Sequence, residues 1–262
     1  LSPARYMLCL IGALLIGCSD GSDDPRSTLG VPGAGNPAVV SVPGAMLEGP
    51  VPGEPVIVST FFSLASLGYQ RAEYFAAGTA NAYVNRNEFK PDGRWQVQAS
   101  DAADYKTRIV VMRPSDPADF NGSVVVEWLN VSAGFDSAPD WGMLHTELIR
   151  QGYAWVGVSA QKEGVDALND GSAAALIPGA DAMRYTAGGL LHPGDAYSYD
   201  IYSQIAQTLR NPPANTRPLG NLQVERLIAA GESQSADRMM TYVNAFAPLH
   251  ALFDGYFVHS RL

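Results

Sequence analysis

The stretch "AAGESQSADR", residues 229–238, sets a serine at 233 two places after a glycine and one glutamine before a second serine. It follows the apolar run "LQVERLIAA" (222–230) and leads into Ala236 to Phe246, where apolar residues recur at helical spacing. A strand that bends sharply into a helix with a serine at the bend is the layout of a nucleophile elbow. The bend demands small neighbours, and Gly231 supplies one. Ser235 stands where a second glycine is commonest, so the pattern here is G-x-S-x-S. A helix starting there aims backbone N–H groups, that of Gln234 among them, at the place where an acyl oxyanion would develop. The plainer alternative is that Ser233 caps the helix or serves the turn.

Upstream, "YKTRIVVMRP" (105–114), "GSVVVEWLN" (122–130) and "GYAWVGVSA" (152–160) are further apolar runs bounded by turn residues, and "LFDGYFVHS" (252–260) is another beyond the elbow. Helical stretches, Asp140 to Gln151 and Asp195 to Leu209, lie between them. Continuous apolar strands separated by helices predict an α/β fold, a mostly parallel sheet covered on both faces. The front of the domain reads as antiparallel. Val39 to Val42 and Val56 to Phe62 are candidate first strands, and "NAYVNRNEF" and "RWQVQAS" form a pair around Pro91-Asp92-Gly93.

A second oxyanion donor is expected from the loop after an earlier strand. Here that loop is "LNVSAGFDSAPDW", following "SVVVEW", with the N–H groups of Asn130 and Val131 as candidates. Equally, Asn130 caps a turn and Gly134 permits one.

The phrases "VVVEWLNVSAGFD", "ELIRQGYAWVGVSAQKEGV", "HPGDAYSYDIYSQ" and "GESQSADRMMTYVNAF" resemble the alpha/beta hydrolase fold, and more narrowly a family of exported bacterial alpha/beta hydrolase domains. The resemblance spans roughly residues 105 to 260. It implies an esterase-like serine hydrolase with Ser233 as nucleophile, a small-molecule ester as substrate and no cofactor.

A serine nucleophile needs a base, and along this fold the order is Ser, then Asp or Glu, then His. After Ser233 come His250 and His259, 17 and 26 positions on. His250, beside Pro248 and Leu249, reads as a helix-end residue. His259, at the carboxyl end of a strand, is a possible site-lining group. His145 and His192 precede the serine and read as structural, and Asp254 sits at the wrong end of its strand. Glu232 also lines the elbow, although an acid near a helix N-terminus is expected from the helix dipole alone. "HPGDAYSYDIYSQ" gathers Asp195, Asp200 and three tyrosines, read either as a helix with an aromatic core face or as a substrate-lining cap. With no well-placed histidine, the hydrolase domain, expected over 56–262, reads as incomplete at its C-terminus. A non-catalytic or truncated lipoprotein that keeps the fold as a binding module is the competing reading.

At 262 residues, 47% hydrophobic and 16% charged, the chain suits one large domain. A net charge of −9 and no basic run argue against nucleic acid as a partner. No metal-ligand cluster, phosphate loop or dinucleotide fingerprint is present in the sequence. At the N-terminus, Arg5 precedes an apolar stretch, Tyr6 to Ile16, too short to span a bilayer. Leu15-Ile16-Gly17-Cys18 closes it and resembles the lipobox of bacterial lipoproteins, which implies cleavage after residue 17, a lipid on Cys18 and a membrane-anchored protein in the periplasm or at the cell surface. An ordinary signal peptide is the alternative. Cys9 would leave with the leader, so no disulfide is expected in the mature chain. Residues 18–55 read as a tether, with seven Gly and seven Pro between Ser19 and Pro55.

Overall fold

Valine-rich strands flanked by helices assemble into a seven-stranded sheet with the order β1-β2-β3-β5-β4-β6-β7. The computed structural model describes residues 38–58, 60, 62–177, 179–181 and 183–261. The leader, Cys18 and the first half of the expected tether lie outside the described residues. The chain runs through β1 (Met46–Glu48), β2 (Tyr69–Asn85), β3 (Val97–Pro114), β4 (Ser123–Trp128), α1 (Pro139–Arg150), β5 (Ala154–Val158), α2 (Lys162–Asn169) and α3 (Met183–Gly188). It continues through α4 (Ser198–Arg210), β6 (Arg226–Glu232), α5 (Gln234–Thr241), α6 (Ala247–His250) and β7 (Gly255–His259). One turn of π-helix, Tyr242–Phe246, joins α5 to α6.

Strands β5, β4, β6 and β7 are mutually parallel. Their unbroken apolar character follows from burial on both faces. Val124, Val126, Val156, Val158 and Ala229 meet α4, Met239 of α5 and the π-turn. The alternate positions, Val125, Trp155 and Ala230, meet Trp141 and Leu148 of α1. The chain leaves β4 for β5 on one side and then crosses to β6 on the other. The carboxyl ends of β4 and β6 are therefore the switch point of the strand order, the place where open α/β sheets bind ligands.

The sequence differs from the structure in three places. "YKTRIVVMRP", expected among the parallel strands, belongs to β3, which is antiparallel to both β2 and β5. It forms one long hairpin with β2, whose first half, from Tyr69, has no clean alternation. Val39 to Val42, expected as a first strand, forms none, and among the described residues of Val56 to Phe62 there is a single bridge, Val58 to Ser137, in place of a strand. Residues 38–55, expected as tether, instead carry β1, paired with β2. They also put Val42, Ala45 and Leu47 into the main core, because the few apolar residues between the prolines find a place over α4 and β2.

A buried ionic cluster sits under the loop that follows β4. Arg108 of β3 is wholly buried and donates through Nη1 to Glu73 Oε1 (3.1 Å), Tyr185 Oη (3.1 Å) and the Val56 carbonyl (2.8 Å). Its Nη2 donates to Asp136 Oδ2 (3.0 Å) and its Nε to Ser159 Oγ (3.0 Å). Burial opposes the charge on this guanidinium, but Tyr185, Asp136 and Glu73 together hold its proton more tightly than usual. Arg184 also pairs with Glu73, so removing Arg108 leaves Asp136 as the uncompensated buried carboxylate, and breaking a buried pair from one side costs about 3–5 kcal/mol. Arg108→Met is therefore expected to lower the free energy of unfolding by that amount in urea titrations. A change within about 0.5 kcal/mol, the scale of ordinary surface substitutions, would show that the cluster does not anchor the fold.

Candidate active site

Ser233 lies between the end of β6 and the first residue of α5, with φ 53° and ψ −116°. This is the first central conformation of a type II′ turn, where glycine is the usual occupant. A serine held there is strained, and its hydroxyl does not cap the helix it precedes. The half-buried side chain stands at the positive end of α5.

The tightness of the bend explains its neighbours. A Cβ on Gly231 would lie 2.6 Å from Met239 Cγ and 2.8 Å from the Ser235 carbonyl oxygen, so only glycine fits. Ser235, fully buried, uses its hydroxyl twice: it accepts from the Glu232 N–H (3.0 Å) and donates to the Glu232 carbonyl (2.8 Å). The second serine of G-x-S-x-S thus ties the bend together. The Ser233 N–H donates to the His259 carbonyl on β7 (3.1 Å).

The loop after β4 folds back on itself. Asn130 N–H donates to the Ser137 carbonyl (3.0 Å) and Ser137 N–H to the Asn130 carbonyl (2.9 Å). The Asn130 N–H, expected as one of two alternative oxyanion donors, is committed to this pairing, which leaves Val131 as the candidate. The Asn130 side chain reaches the elbow instead: Nδ2 donates to the Glu232 carbonyl (3.0 Å) and approaches Glu232 Oε2 (3.4 Å).

His259 and Glu232 are paired in the β6–β7 register. His259 Nε2 is 2.5 Å from Oδ1 of the wholly buried Asp140, and Nδ1 is 3.1 Å from Ser260 Oγ. Asp140, at the start of α1, was not singled out by its sequence context. Burial pushes its carboxyl up, as does the charge of Glu232, while His259 pulls it down. Glu127, inside β4, caps α1 from below: Oε1 accepts from Asp140 N–H (2.9 Å), and Oε2 from Trp141 N–H (2.9 Å) and Trp155 Nε1–H (2.8 Å). Burial first, and Asp140 second, hold Glu127 well above the usual carboxylate range.

A family model described as "Alpha/beta hydrolase domain" matches residues 40–262. The chain belongs to the alpha/beta hydrolase domain family. Among solved structures it is similar to a CE15 glucuronoyl esterase from Teredinibacter turnerae T7901, at 12% identity and TM-score 0.37, the match covering 84% of this chain and 46% of that one. It is also similar to the rice cell wall degrading esterase LipA from Xanthomonas oryzae, at 11% identity and TM-score 0.31, covering 67% and 38%. The chain thus matches less than half the length of either esterase. No curated protein matches it.

A polar belt meets the elbow helix of this alpha/beta hydrolase domain through Gln234 and Arg238. The Trp128 indole donates to Gln161 Oε1 (3.0 Å), which also receives Gln234 Nε2 (3.0 Å). Asp195 takes Gln161 Nε2 (3.2 Å), Arg238 Nη2 (2.8 Å) and the Lys162 N–H at the start of α2 (2.9 Å). Gln161 and Arg238 lie in the phrases that carry the family resemblance, but neither was singled out among the candidate site residues. Asp200 and the tyrosines of "HPGDAYSYDIYSQ" divide differently: Tyr202 enters the main core, while Asp200 accepts from Tyr83 Oη (2.9 Å) and the Asn81 N–H (2.8 Å).

The other histidines are placed away from the elbow. His250 ends α6, buried between Ser203 Oγ (2.8 Å) and Tyr83 Oη (3.3 Å), and burial pulls its pKa down to about 4. His192 contacts the Ala160 carbonyl (2.9 Å), and His145 the Trp141 carbonyl within α1 (3.1 Å). Asp254 accepts the Leu227 N–H at the foot of the sheet (2.8 Å). Among the described residues, no group of three or more His, Cys, Asp or Glu is gathered to hold a metal ion.

The strain at Ser233 is measurable. Such a backbone costs on the order of 1–3 kcal/mol, and glycine there gives back roughly 0.5–1 kcal/mol through its freer unfolded chain. Ser233→Gly is expected to unfold a few degrees higher than Ser233→Ala, which keeps the strain. Equal midpoints for the two variants in thermal scans would show a relaxed bend.

Proposed function

We propose that the protein is a serine hydrolase acting on small carboxylic esters through an acyl-enzyme, with Ser233 as the nucleophile. The observation that carries this reading is the strained, non-capping serine at the carboxyl end of β6, directly before α5. Strain of this kind persists only where the surrounding structure over-determines it, and such positions cluster at reactive sites. Ser233 Oγ attacks the ester carbonyl carbon as its proton leaves for a base. The N–H groups of Gln234 and Val131 hold the oxyanion, the alkoxide leaves with a proton, and water then hydrolyses the acyl-serine. Of the histidines after Ser233, His259 stands at this edge with its ring oriented by Asp140, so the pair is the candidate base and orienting acid. Asp140 precedes the serine along the chain, unlike the order usual for the fold.

The same reading gives the protein an address. Arg5, the apolar stretch Tyr6 to Ile16 and Leu15-Ile16-Gly17-Cys18 support export and a lipid at Cys18, with the hydrolase domain held at a membrane surface by the segment after it.

A fluorophosphonate probe is expected to label the wild-type chain at Ser233, and Ser233→Ala to lose both labelling and p-nitrophenyl acetate hydrolysis. His259→Gln is expected to slow labelling; an unchanged rate would place the base elsewhere. An unlabelled wild type would leave a non-catalytic fold. In a bacterial host fed radioactive palmitate, the chain is expected to take up label, and Cys18→Ala to lose it. Equal labelling of the two would remove Cys18 as the anchor.

A further inference from the structure

Asn130 has every polar group of its main and side chain engaged. Its N–H donates to the Ser137 carbonyl (3.0 Å), and its own carbonyl accepts twice, from Ser137 N–H (2.9 Å) and Ser137 Oγ (3.0 Å). Its Oδ1 accepts the Ser132 N–H (2.8 Å). A backbone N–H can only donate, so this contact fixes which end of the amide is oxygen and leaves Nδ2 facing Glu232. There Nδ2 donates to the Glu232 carbonyl, in the peptide that leads into the serine (3.0 Å).

A trans peptide points its carbonyl and the following N–H in opposite directions. Two hydrogen bonds on the Asn130 carbonyl therefore also fix the direction of the Val131 N–H. Turning that peptide over would break both, and would pull Ser132 away from Oδ1. Meanwhile the amide of the same residue holds the loop against the Glu232 carbonyl. The direction of the Val131 N–H and the placing of its loop beside the nucleophile thus come from one side chain and one partner, Ser137.

We propose that Asn130 and Ser137 are positioning residues that hold the Val131 N–H in place as the second oxyanion donor before substrate arrives. The inference rests on Ser233 being the nucleophile, and adds that the hole is preformed by this clasp. A donor that is aligned in advance acts on the transition state and not on ground-state binding.

The test is steady-state hydrolysis of p-nitrophenyl acetate by the full chain, with thermal scans to confirm folding. Asn130→Asp keeps the acceptor for Ser132 but sets an oxygen against the Glu232 carbonyl. Complete loss of one oxyanion donor costs about 10²–10³ in kcat, so a misaligned donor is expected to cost about tenfold to a hundredfold, with KM little changed. Ser137→Ala removes one of the two bonds on the Asn130 carbonyl and is expected to lower kcat in the same way. Ser137→Thr keeps the hydroxyl and is expected to restore it. The proposal is overturned if Asn130→Asp and Ser137→Ala keep wild-type kcat, or if their losses appear only in KM. Should Asn130→Asp fail to fold, the Ala and Thr variants at 137 decide alone. A wild type that neither labels at Ser233 nor hydrolyses the ester overturns the nucleophile reading and this inference together, which separates that failure from an active enzyme indifferent to the clasp.

Discussion

The peptide joining Glu232 to Ser233 is held at both ends, and the rest of the site depends on it. Its carbonyl accepts from Asn130 Nδ2 and from Ser235 Oγ, and its N–H donates to the His259 carbonyl. These bonds come from three different parts of the chain: the loop after β4, the first turn of α5 and the last residue of β7. A single net hydrogen bond contributes only about 0.5–1.5 kcal/mol, comparable with the strain of a positive-φ serine, so one would not suffice. Three acting on one peptide can hold the bend, and they restrict how far it can relax.

That arrangement is supported from below by charges in the core. Arg108 holds Asp136, near the end of the loop whose other end is Asn130. Ser159, at the end of β5, shares both groups through its hydroxyl. The neighbouring strand does the same by another route. Glu127 caps α1, and so fixes Asp140, and Asp140 holds the ring of His259. Buried ion pairs are weak contributors to net stability, because desolvation offsets much of their attraction. What they give here is direction: Arg108 fixes Asp136 and Ser159, and the buried carboxyl of Glu127 fixes the start of α1 at Asp140.

The elbow could be read from residues 222–246 because its requirements are local: an apolar strand, a glycine where no Cβ fits and a helix with an apolar face. The central strands were legible for the same reason, being buried on both faces. β3 was misassigned because burial on both faces leaves the same apolar run in a parallel or an antiparallel strand; direction is set by which neighbour it pairs with, and the pairing of Ile109 to Met112 with Trp155 to Val158 is long-range. Of the two readings of Asn130, the turn cap is what its side chain does, accepting the Ser132 N–H, while its own N–H bonds within the loop; a loop sequence does not say whether an N–H faces the crevice or its own loop. Arg108, Asp140 and Gln161 left no pattern because the partners of their side chains lie 28 or more residues away along the chain.

The serine at 235 shows how a departure from a motif can preserve its physics. A glycine there would avoid crowding at the bend, but would offer nothing to the Glu232 peptide beyond its own backbone. The hydroxyl of Ser235 occupies that space and meets both polar groups of Glu232, the N–H and the carbonyl, at 3.0 and 2.8 Å. Because Ser235 is fully buried, its hydroxyl would be costly to leave unpaired, and the bend is the surface that pairs it. The extra side chain is therefore tolerated only while the elbow is formed. Burial of one small polar group makes the strained conformation of the preceding serine and the packing of α5 against β6 conditional on each other.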